Sequence, residues 1–87
     1  MKVMLLMWST APPPAAFMGH LAHQLLSSGE LVSCVQLVSP APGKSPFIAA
    51  FWLVDCLGFD RALEIAARIP CHAVEVRPVL RAPGEEM

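Results

Sequence analysis

The sequence predicts an α+β domain with element order βαββαβ, and three observations carry that prediction. Val3 to Trp8 and Phe47 to Val54 are short, continuous apolar runs bounded by turn-forming residues, the mark of strands buried on both faces. Over Ala15 to Ser28 and Phe59 to Ile69 apolar residues instead recur three to four apart, as in helices packed on one side. After the second helix, "VEVRPV" alternates apolar and charged residues, as a half-covered strand does.

Each element follows from its neighbours. The first strand ends at "STAPPP", where three prolines forbid regular structure. In the first helix Phe17, Leu21 and Leu25 form one apolar row and Met18 and Leu26 the next, and Gly29 supplies the left-handed residue that ends it. Leu31 to Val38 carries β-branched residues near period two, and the following "SPAPGKSP" is a loop. Gly58, Phe59 and Asp60 open the second helix, with Asp60 at the positive end of its dipole. Its apolar face is expected at Leu63, Ala66 and Ala67, Glu64 and Arg68 stand in the favourable order for an i,i+4 pair, and Pro70 stops it. Ala73 to Val79 is the last strand, and the tail from about residue 80 is expected to fray. Right-handed crossovers then put both helices on one face of a four-stranded sheet, with the last strand beside the first. Pro78, which lacks a backbone donor, suits an outer strand.

Composition sharpens the picture. Of the 87 residues, 55% are apolar and 15% charged, against about 25% charged in typical soluble domains. One domain of this size buries only about 60 to 65% of its unfolded surface, so so much apolar character calls for a covering partner. No apolar stretch approaches the roughly 20 residues that span a membrane. A second copy, packed sheet against sheet over the face the helices leave open, is the expected solution: a homodimer. The net charge of -1, with six scattered basic residues, argues against nucleic acid. Cys34, Cys56 and Cys71 lack the spacing of a zinc site or disulfide framework and read as reduced thiols of a cytosolic protein. The opening apolar run is too short for a signal peptide and reads as the first strand.

"KVMLLMW", "LLSSGELV", "AFWLVDC", "DRALEIAARIP" and "VEVRPV" together resemble the YCII-related domain, also called the DGPF domain. The resemblance implies a ferredoxin-like dimeric α+β barrel with a cavity between subunits. In some members it also implies an acid-base pair of a helix-borne His and an Asp. Where the family's Asp-Gly-Pro-Phe motif would stand, this chain reads Lys44, Ser45, Pro46, Phe47, and the segment after it is shortened. That shortening favours a non-catalytic dimeric module binding a small ligand or another protein over a lyase- or isomerase-type enzyme.

The candidate residues follow. His20 and His23 lie three apart on one side of the first helix, and imidazole transfers protons near neutral pH. Asp55 ends a central strand, where a carboxylate can face a cleft. With no Asp or Glu within that helix, two histidines alone make a poor metal site, so neither metal nor cofactor is expected. The ordinary reading of the histidines is a solvated helix surface; that of Asp55 is a turn-stabilising carboxylate. Arg77, as a holder of a carboxylate ligand, and Trp52 are the candidate ligand-binding residues; the ordinary readings are a cross-strand or intersubunit pair for Glu75 and Arg77 and a core or dimer-interface aromatic for Trp52.

Overall fold

The computed structural model describes residues 1–11, 14–37 and 46–80. Its elements are β1 (Lys2–Ser9), α1 (Ala15–Ser27), β2 (Leu31–Gln36), β3 (Phe47–Asp55), α2 (Phe59–Ala67) and β4 (Ala73–Pro78). Val38, most of the "SPAPGKSP" loop including Lys44 and Ser45, two of the three consecutive prolines, and the tail after Leu80 lie outside the described residues.

The four strands form one antiparallel sheet in the order β2-β3-β1-β4. β1 and β3 are central, β4 lies beside β1 as expected, and Pro78 is the last residue of that outer strand. Both helices pack on one face, because Met18, Leu21 and Leu25 of α1 and Ala62 and Ile65 of α2 join a single core cluster with Val3, Leu5, Met7, Trp52 and Val54. This order and layering make an α+β fold compatible with the ferredoxin-like arrangement.

The helices meet the sheet through matching patterns. In α1 the core positions are Met18, Leu21, Ala22 and Leu25; around α2 they are Ala62, Ile65, Ala66 and Ile69, the same spacing. These positions fall within a narrow sector of a helix turning 100° per residue, which corrects the expectation for four residues. Phe17 and Leu26 sit about 90° to either side of that sector and are exposed. Leu63 and Ala67 are likewise exposed, and Ala62 and Ile65 are buried in their place. Periodicity alone could not separate the flank of the stripe from its centre.

α1 ends as its sequence demands. Gly29 adopts φ 80°, its N–H donates to the Leu26 carbonyl at 3.1 Å and the Glu30 N–H to the Leu25 carbonyl at 2.9 Å. This pair of bonds is a Schellman motif, which only a left-handed residue closes without strain. It delivers the chain to β2, and just before that strand the Glu30 carbonyl accepts from the Asp55 N–H at 2.7 Å.

β1 shows what the layering does. Val3, Leu5 and Met7 face the helices and are fully buried, whereas Met4, Leu6 and Trp8 point to the other side and are only half-buried. In β3, Trp52 and Val54 pair with Leu5 and Val3 on the covered side; Phe51 and Leu53 pair with Leu6 and Met4 on the open side. The expectation of strands buried on both faces therefore fails within one chain, because no described element lies over the second face.

Candidate functional site

Three places hold the residues with chemistry to offer. The first is a cleft of about 290 Å³ between α1 and the β2/β3 side of the sheet. Met18, Gly19 and Ala22 line it from the helix, and Cys34, Ala50 and Trp52 from the strands. It exists because α1 packs onto β1 and β3 through Met18, Leu21 and Leu25 and leaves outer strand β2 mostly uncovered; beyond Leu31 every residue of β2 is exposed. Trp52 is buried in the core cluster and borders the cleft. Gly19 went unremarked in the sequence, although a glycine inside a helix costs about 1 kcal/mol relative to alanine.

The second place is the open sheet face. Arg77 stands there, paired through Met4 in the register, while Trp52 pairs with Leu5 on the opposite face. The two proposed ligand residues thus do not share a pocket. The Arg77 guanidinium donates to Glu75 at 2.7 Å, and the Trp8 indole N–H donates to the same carboxylate at 3.2 Å. Bonding to Arg77, and then to Trp8, holds the Glu75 carboxyl below its ordinary range. The expectation of a cross-strand or intersubunit pair is thus not met: Glu75 and Arg77 pair with each other two residues apart on β4, and only the Trp8 hydrogen bond to Glu75 crosses strands.

The third is the end of the sheet where α1 and β3 finish. Asp55 is exposed and accepts from the Met1 amino group at 3.1 Å. It lines a shallow depression with Met1, Ser28, Glu30 and Cys56. Glu30 in turn accepts two bonds from the Arg61 side chain, at 2.8 and 2.9 Å, and one from the Ser28 hydroxyl at 2.8 Å. The Arg61 bonds hold the Glu30 carboxyl at about 2, against the opposing effect of burial. Sequence proximity did not show this bridge, because Glu30 and Arg61 are brought together by the β2–β3 pairing. Arg61 also takes Glu64 at 3.3 Å, so the expected Glu64–Arg68 pair is replaced; Arg68 donates to the Gln24 carboxamide.

His20 and His23 are both exposed on α1. The Gln24 carboxamide nitrogen donates to His20 Nε2 at 3.2 Å. Among the described residues neither histidine shares a hydrogen bond with Asp55, so the structure does not bring the candidate acid-base pair into contact. No cluster of three or more His, Cys, Asp or Glu with metal-binding geometry occurs among the described residues. All three cysteines are free: Cys34 is exposed, Cys56 buried and Cys71 intermediate, and burial pushes the Cys71 thiol upward. No helix of the described residues is long and apolar enough to cross a membrane.

Among the described residues the fold is that of a small α+β domain with an apolar cleft and an apolar sheet face that no described element covers. Comparison with known protein families found no matching family model, and comparison with curated proteins found no match.

Proposed function

We propose that the chain is a YCII-related, non-catalytic binding module that works as a homodimer, two copies meeting through their open sheet faces. The observation that carries this reading is the apolar set Met4, Leu6, Trp8, Phe51 and Leu53, gathered on the two central strands and left half-buried by the chain's own elements. A contiguous apolar patch of this kind marks an interface. Its borders have the character of an interface rim: Glu75 and Arg77 neutralise each other on β4, and Ser33 stands on β2. A second copy presents the same patch, so the contact is self-complementary about a two-fold axis. At an ordinary interface size of about 800 Å² per subunit, the gross gain is about 20 kcal/mol per subunit before the costs of association.

The family reading draws support from the βαββαβ order and the single helical layer, both compatible with the barrel-forming fold that the resemblance implies. A binding role draws support from the cleft under α1, and from an Asp55 carboxylate already engaged by the Met1 amino group. Leu6→Lys places a charge at the centre of the open face. Light scattering is expected to give twice the 9.4 kDa chain mass for the unmodified protein, and a folded chain of single mass for L6K with increased binding of an apolar dye. A stable, soluble monomer of the unmodified chain at micromolar concentration overturns the dimer.

A further inference from the structure

We infer that the cleft between α1 and the β2/β3 side of the sheet takes an uncharged, largely apolar molecule of about two fused rings. This rests on the binding-module reading and names its ligand class. Volume sets the size: an apolar cavity of about 150 Å³ takes up one benzene, and this cleft offers about 290 Å³, at the small end of small-molecule sites. The lining sets the charge. Met18, Ala22, Ala50 and Trp52 are apolar or aromatic, and none of the described lining residues carries a formal charge, so among these an ionised ligand finds no partner for the hydration it loses. Trp52 and Met18, both nearly fully buried, contribute an aromatic edge and a polarisable thioether to the floor of the cleft. The Gln36 carboxamide and Cys34 thiol, both on exposed residues of β2, offer neutral hydrogen-bonding groups at the outer side.

Gly19 gives the cleft a position at which to test it. It lies inside α1 with no positive φ, in a place where alanine forms a better helix. No neighbouring atom requires it, since a Cβ built there meets nothing within 4 Å. Gly19 is exposed at the rim of the cleft, where an added side chain meets open space. A larger side chain at this position therefore enters open volume without displacing the core, which makes it a clean plug.

The probe is 2-naphthol, titrated into the isotope-labelled full chain while backbone and indole NMR signals are followed. Saturable shifts are expected at Gly19, Cys34 and the Trp52 indole. Gly19→Leu is expected to weaken binding at least tenfold while melting no lower than the parent; should it fail to fold, Gly19→Ala gives a smaller loss in the same direction. The carboxylate 2-naphthoate is expected to bind at least tenfold more weakly than 2-naphthol. Shifts centred on Leu6 and Phe51, unchanged binding in G19L, or equal affinity for the two probes each overturn the inference. Light scattering on the same samples keeps the two readings apart. A monomer with Gly19-dependent binding overturns the dimer alone, and a dimer without that binding overturns the cleft ligand alone.

Discussion

The two faces of the sheet are built from the same strands and nearly the same residue types, yet they live in different environments. On the helix side Val3, Leu5, Met7 and Val54 have no exposed surface at all. One residue along, Met4, Leu6, Trp8, Phe51 and Leu53 are as apolar but only half-buried. The difference teaches that apolar composition fixes how much surface the chain must hide, while topology fixes which half it hides by itself. With both crossovers of the same hand, two helices reach one face only. The other face is the surplus that the dimer is proposed to use.

The sharpest way to break this comparison is to truncate neighbours on opposite faces. Leu5→Ala opens a cavity among fully buried side chains and is expected to cost about 3 kcal/mol in urea unfolding. Leu6→Ala, one residue away, is expected to cost under about 1 kcal/mol in the dissociated subunit, with most of its effect on self-association. Equal losses at the two positions under dissociating conditions would mean that the faces are not distinct.

A smaller effect separates the polar groups of the two regions. Glu30 is largely shielded, bridges to Arg61, and has a carboxyl lowered from the ordinary 4.5 to about 2. Its stabilisation is present above about pH 4.5 and is lost as pH falls toward about 2, because the unfolded chain takes up the proton first. Solvent screening at the more exposed Arg61 limits this to about 1 kcal/mol. Glu30→Gln is expected to remove that part of the acid dependence between pH 5 and 2 in thermal melts. An unchanged acid profile would show the bridge to be energetically idle. The Glu75 carboxyl is lowered too, but its pair with Arg77 lies at the exposed edge of the open face.

Element order was legible because each element repeats its signal over many residues: period in the helices, continuous apolar runs in β1 and β3, alternation in β4. Gly29 and Pro78 stand where their backbone chemistry demands. Finer choices were not legible. The covered face of β1 could not be chosen when both alternating sets are apolar, and Leu63 could not be told from Ala62 without knowing the helix's rotation on the sheet. The candidate sites fared by the same rule. Trp52 could be placed on a central strand, but its separation from Arg77 by the thickness of the sheet needed the register, and the Glu30–Arg61 bridge needed the β2–β3 pairing. The cleft, lined from α1, β2 and β3, needed the packing of the helix on the sheet.

The central claim, that a second copy covers the Leu6 and Phe51 face, is tested most directly by isotope-filtered NMR on a mixture of methyl-labelled and unlabelled protein. The account predicts intermolecular contacts from the methyl groups of Met4, Leu6 and Leu53 to the Trp8 and Phe51 rings of the other copy, while Leu5, Met7 and Val54 show contacts within their own chain only. Sharp monomer spectra with no intermolecular contact at Met4, Leu6 or Leu53 would contradict it.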